Sequence, residues 1–254
     1  MRRFFISQHP TFGRGKQVTV KGVEASPYYW WWLALTLNDD YVAFCNQADA
    51  ENRFETNSRL ACLYADFGDV RYEGDKYAAF KRWWKVKVDE NERGVYLFAE
   101  QFQQYKVRLI EDEQTALDAM QNEELLVIQV PKAMKRTYID NALNRILKAN
   151  LTGEKGRMVR NPNRSNALYH LSKPIKVAKY KIAFDMLEAK IDADQNGEKI
   201  SNKSLAKIGN LEVPVVEGSE DDFAYINRVL STKVSRYMAD AKSAIKNAAN
   251  GIFP

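Results

Sequence analysis

The sequence has little of what most catalytic chemistry is built on. Its 254 residues include two histidines, His9 and His170, and two cysteines, Cys45 and Cys62. The cysteines stand seventeen positions apart with no CxxC pair. That excludes a disulfide framework and fits reduced, packed thiols in a cytoplasmic protein. Neither histidine has a Cys or His partner at metal-ligand spacing, so no metal site is predicted. The longest apolar run stops at Asn38, Asp39 and Asp40, too soon to span a membrane. MRRFFISQHP opens the chain with two arginines but lacks the apolar stretch and small-residue cleavage site of a signal peptide. Glycine is sparse too. Gly153 and Gly156, in GEKGR, lack the spacing of a phosphate-binding GxxxxGK[ST] loop, so no nucleotide cofactor is expected.

Two triplet-scale motifs invite a function and fail on their surroundings. Asp66-Phe67-Gly68 spells the DFG of a protein kinase, but no Gly-rich loop, VAIK lysine or HRD loop accompanies it. A turn between helices explains it, with Gly68 supplying the permissive backbone. Asp192-Ala193-Asp194-Gln195-Asn196-Gly197 matches the first half of a calcium loop. Position eight is then Lys199 and position twelve Lys203, where an apolar residue and a bidentate glutamate are needed. A turn uses the same residues. No nucleophile, base or catalytic residue is nominated, and the reading is of a non-enzyme.

What the chain does have is aromatic mass. Tyr28, Tyr29, Trp30, Trp31 and Trp32 are consecutive, and Trp83 and Trp84 complete the five tryptophans. Ser26 is a good N-cap and Pro27 suits the first helical position, so a helix is predicted from this point. A helix aromatic on every side belongs in a core. Asn38 or Asp39 caps a second helix, and Lys76 to Val88 reads as a third. Gln17 to Val20 reads as a short strand. Gly94 begins a ββαβ pattern to about residue 130: strands at Val95–Phe98 and Lys106–Ile110, a helix at Glu113–Met120 and a buried strand at Leu125–Val130.

Charge divides the chain unevenly. Asp89 to Glu124 carries ten acids and three bases, whereas Pro131 to Lys190 carries fourteen bases and four acids. A block of that density suits a polyanion, most simply DNA. Within it are the helix from Lys132 to Leu151, with Lys135 and Arg136 near its start, and a loop spacing Arg157, Arg160 and Arg164 through glycine, asparagine and proline. Helices follow at Ile175–Ala189 and Ser201–Gly209. The last helix, opened by Ser219, has two readings. A break near Ser231 and Thr232 would make Lys233, Ser235 and Arg236 the leading face of a recognition helix in a helix-turn-helix. Without the break it is one long amphipathic helix.

SPYYWWW, DFGDV, the WW pair, YLFAE at Tyr96–Glu100, LVIQVP at Leu126–Pro131, the KR pair Lys135 and Arg136, and VSRY at Val234–Tyr237 with GIFP at Gly251–Pro254 resemble an uncharacterised bacterial family. That family is carried on phage-derived or conjugative elements. The resemblance spans most of the chain and implies a mobile-element setting without any catalytic residue. The expected fold is α+β and mostly helical, with an aromatic-core helical region (1–130) containing the small ββαβ segment (94–130) and a basic helical domain (131–254). The expected function is DNA binding of a regulatory kind, with Lys135, Arg136, Arg157, Arg160 and Arg164 on phosphates and Lys233, Ser235 and Arg236 on bases. The alternative is an assembly protein of a phage-like particle or an adaptor with a protein partner, and homo-oligomerisation is compatible with both.

Overall fold

A computed structural model describes residues 5–14, 17–51, 58–100, 107, 109–121, 125–150, 165–212 and 220–254. Helices dominate the described residues: α1 (Val20–Glu24), α2 (Pro27–Thr36), α3 (Asp39–Glu51), α4 (Arg59–Phe67), α5 (Lys76–Lys85), α6 (Arg93–Phe98), α7 (Glu113–Gln121), α8 (Arg136–Asn150), α9 (Val177–Gln195), α10 (Asn202–Ile208) and α11 (Glu220–Ala248). One antiparallel hairpin, β1 (Lys87–Val88) with β2 (Asn91–Glu92), pairs Lys87 with Glu92 and Val88 with Asn91. The class is therefore α+β and mostly helical. The chain forms two compact units, residues 1–100 with 161–254, and residues 101–160.

In the first unit α2 is the axis of the core. Every residue from Pro27 to Leu35 is buried. The helix starts at Pro27 as its sequence predicts, yet the Ser26 hydroxyl does not cap it and is buried with no hydrogen-bond partner among the described residues. The three tryptophans of α2 reach out to different parts of the chain. Trp30 stacks on Phe184 of α9 at 5.7 Å, and Trp31 on Phe253 near the C-terminus at 5.6 Å and 18°. Trp32 lies 5.4 Å from Phe80 of α5, and Trp84 stacks on Phe98 of α6 at 5.8 Å. Such ring pairs contribute about 0.5–1.5 kcal/mol each beyond their burial. Trp30 Nε1 donates to the Glu24 carbonyl and Trp83 Nε1 to that of Phe67.

The ends of the helices follow local chemistry. Asn38 caps α3 by accepting the Tyr41 N–H at 2.9 Å, Asp75 caps α5, and Ser201 caps α10. The DFG segment is the end of α4: Gly68 has φ +64°, and its carbonyl accepts the Tyr41 hydroxyl at 2.8 Å. Asp192 to Gly197 closes α9. The Asp192 carbonyl accepts from Asn196 N–H and the Asp194 carbonyl from Gly197 N–H, so helix capping occupies this backbone.

Several expected elements differ. Tyr96 to Phe98 is helical in α6, not a strand. Gly94 sits under the Trp84 ring, where a Cβ would come within 2.0 Å, and Leu97 and Phe98 turn into the aromatic core. Among the described residues of the ββαβ segment only its helix appears, as α7, and the 106–110 strand falls partly outside the described residues. Leu125 to Val130 is neither a strand nor buried: Leu126, Val127 and Val130 are exposed. Val20 begins α1 instead of ending a strand.

Candidate nucleic-acid interface

α9, α10 and α11 share a second core in the first unit, made by Ala183, Met186, Leu187, Leu205, Ala206, Val234, Met238 and Ala241. Val234, Met238, Ala241, Ala244 and Ala248 recur at three- and four-residue spacing, so one stripe of α11 faces inward. The small alanines at its C-terminal end let it approach α2. That inward stripe dictates the outward one. Arg228, Thr232, Ser235, Arg236, Ala239, Lys242, Ser243 and Lys246 are all exposed. It carries four cations, no carboxylate and otherwise only short side chains. From Arg228 to Lys246 it runs about 27 Å at the rise of an α-helix.

α11 is continuous from Glu220 to Ala248. Of the two readings of this segment the structure takes the one long helix: no break occurs near Ser231 and Thr232, so no separate recognition helix starts there. Thr232 Oγ1 bonds back to the Arg228 carbonyl at 2.9 Å, an arrangement that satisfies a hydroxyl inside a helix. Leu230 and Val234 keep the helix seated across this point.

Beside the stripe lies an open groove of about 630 Å³, walled by Lys179 and Ile182 of α9, residues 210–212, and Lys233, Arg236, Tyr237 and Asp240 of α11. Its charges are partly spoken for. Lys179 Nζ pairs with Asp240 at 2.6 Å, and Lys233 Nζ donates to the Glu212 carbonyl at 2.7 Å. Arg236 makes no ion pair or hydrogen bond among the described residues and is exposed. Of the three residues expected to read bases, Ser235 and Arg236 are presented outward, while Lys233 is held against the groove wall.

The remaining expected contacts are placed elsewhere. Lys135 and Arg136 are exposed in the second unit, with Arg136 3.7 Å from Asp140 one turn along α8. Arg157, Arg160 and Arg164 lie outside the described residues. Sequence reasoning missed Arg228, Lys242 and Lys246. Their signal was the helical period itself, read through Ser231 instead of being stopped there.

A second polar cluster sits where α1, α5 and α9 meet. Glu24 accepts from Lys181 Nζ and from the Tyr77 hydroxyl, each at 2.8 Å, and Lys76 pairs with Glu188 at 2.6 Å. Burial works against the Lys181 charge, but Glu24 and Asp185 outweigh it and raise its pKa. Every member has an opposite charge or a hydroxyl beside it, as in a structural network tying helices together.

No protein-family model, curated protein or solved structure matches this chain.

Proposed function

We propose that the protein is a non-enzymatic, cytoplasmic DNA-binding protein of a mobile genetic element, acting as a regulator. The outward stripe of α11 carries this reading. Four cations interleaved with serine, threonine and alanine let a helix backbone come close to a polyanion, and no carboxylate opposes the approach. Arg236, unpaired, has the fork geometry for a guanine edge, and Ser235 beside it can accept or donate to any base. All five tryptophans are buried, so the aromatics serve the core and leave the basic stripe as the distinctive surface of that unit. The resemblance in the motifs supplies the mobile-element setting.

The test is fluorescence anisotropy with a duplex from the DNA flanking the gene and a scrambled duplex, across a salt series. Preference for the native duplex that persists at roughly 150–200 mM salt supports a regulator. Equal, steeply salt-sensitive binding reduces the stripe to an unspecific basic face. Absence of binding at low salt removes DNA as the partner.

A second reading, an assembly or adaptor role in a phage-like particle, is favoured by one observation. The second unit exposes an unusual number of large apolar side chains, the signature of a protein-facing surface.

A further inference from the structure

The described residues of the second unit bury little of their apolar surface. Among its described residues only Ala119 is an apolar side chain fully withdrawn from water. Of the sixteen large apolar side chains exposed among the described residues, ten lie here, including Leu109, Met120 and Tyr138. α8 shows the problem most clearly. Tyr138, Ala142, Ile146, Ile139, Leu143 and Leu147 fall on one half of its circumference, with Asp140, Asn144, Arg145 and Lys148 on the other. Yet α8 buries none of its residues. A helix of this pattern is made to be covered.

The charges say by what. Residues 111–121 hold four acids and no base, and residues 132–148 hold five bases and one acid. Each stretch has its own exposed apolar residues, Leu117 and Met120 in α7 and Tyr138 and Ile146 in α8. Among the described residues no ion pair joins the acidic stretch to the basic one within the chain; Asp118 is held by Gln114, and Arg136 by Asp140. We infer that the faces of α7 and α8 in this unit form a self-association surface whose occupant is a second copy of the same chain. The acidic stretch of one copy lies along α8 of the other, and a twofold axis makes the same contact twice. A surface that is acidic and basic in equal measure, with apolar residues on both parts, is complementary to itself, whereas a foreign partner would need to match both signs. The inference is independent of DNA binding: it stands or falls on α7 and α8 and makes no use of α11.

The test is charge exchange, followed by sedimentation of the full chain over a concentration series. Arg145→Glu with Lys148→Glu reverses the basic face; Glu113→Lys with Asp118→Lys reverses the acidic one. All four positions are on the polar, exposed sides of their helices, and circular dichroism confirms that each variant keeps its helix content. The wild-type chain is expected to dimerise, and each variant alone to dimerise at least tenfold more weakly. An equimolar mixture of the two variants is expected to regain the dimer, because in the mixed pair every contact again joins opposite charges. A wild-type chain that stays monomeric at about 100 μM overturns the inference and leaves the surface to a different partner. A dimer indifferent to both reversals, or one that mixing fails to restore, overturns it as well.

Discussion

The side-chain amide of Asn38 donates to the main-chain carbonyl of Ile245 at 3.2 Å, across 207 positions of sequence. Its oxygen meanwhile accepts the Tyr41 N–H and caps α3. One buried side chain thus starts one helix and fastens it to another. Asn38→Ser keeps an acceptor for the cap and loses the donor, and should cost about 1 kcal/mol of unfolding free energy. Asn38→Ala loses both and should cost about 2–3 kcal/mol. Urea unfolding of the two variants separates the roles: equal losses would show that the cap on Tyr41 contributes nothing, and an Asn38→Ser variant as stable as wild type would show the same of the Ile245 contact.

His9 packs edge-on to Phe5 at 4.7 Å and to Trp84 at 5.3 Å. Burial lowers its pKa, against smaller opposing effects from the Pro10 backbone and Glu92. The unfolded chain therefore takes up a proton here more readily than the folded one. The His9 contribution is intact above the ordinary histidine pKa of about 6.5 and is lost as pH falls through that value towards the lower folded one. Wild type should lose melting temperature between pH 7.5 and 5.5 by more than His9→Gln does. An identical loss in both would assign the acid sensitivity elsewhere.

On the α11 stripe, position along the helix predicts the kind of defect. Lys242→Ala with Lys246→Ala should weaken binding to native and scrambled duplexes alike and lower the salt slope by about two. Arg236→Ala should cost about 1–3 kcal/mol on the native duplex and less on the scrambled one. Anisotropy titrations at several salt concentrations distinguish them. Equal losses on both duplexes with Arg236→Ala would sink its base-reading role.

Within the first unit, Glu100 ties together the two stretches of chain that flank residues 101–160 in sequence. Its buried carboxylate accepts from the Ser165 hydroxyl at 2.5 Å and from the Asn166 N–H at 2.8 Å, and the Leu97 carbonyl accepts the Tyr169 N–H at 2.9 Å. Replacing residues 101–160 by a short Gly-Ser linker should leave the remaining chain folding cooperatively, with a melting temperature within a few degrees of wild type. Glu100→Ala in the same background should lower stability by about 1–3 kcal/mol, because the Asn166 N–H loses its acceptor. Failure of the shortened chain to fold would mean that the excised residues contribute to the core.

Local chemistry was readable where one residue type could do only one thing. Five consecutive aromatics had to be buried, Pro27 had to begin a helix, and Asn38 had to interrupt one. The sequence misled where distant contacts overrode propensity. Val95-Tyr96-Leu97-Phe98 is a good strand in isolation. It is helical because Gly94 lies flat beneath Trp84 and only the helical period sends Leu97 and Phe98 inward together. Phe253, stacked on Trp31, gave no sign in its own neighbourhood of being core. In α11 the polar residues around Ser231 left a turn and a continuous helix open, because short polar side chains suit either. Of the candidate interface, Ser235 and Arg236 were found from sequence; the rest of the stripe required knowing that the helix does not stop.

The crowding of the tryptophans has an optical consequence. All five belong to residues 1–100, every one is withdrawn from water, and Trp31, Trp32, Trp83 and Trp84 lie within one continuous nest of rings. Their emission should be blue, and excitation should migrate between indoles quickly enough to depolarise it. Residues 101–160 contain no tryptophan at all. An experimenter following intrinsic fluorescence therefore watches one part of the chain melt and is blind to the other, so a single clean transition in that signal says nothing about whether the two come apart together.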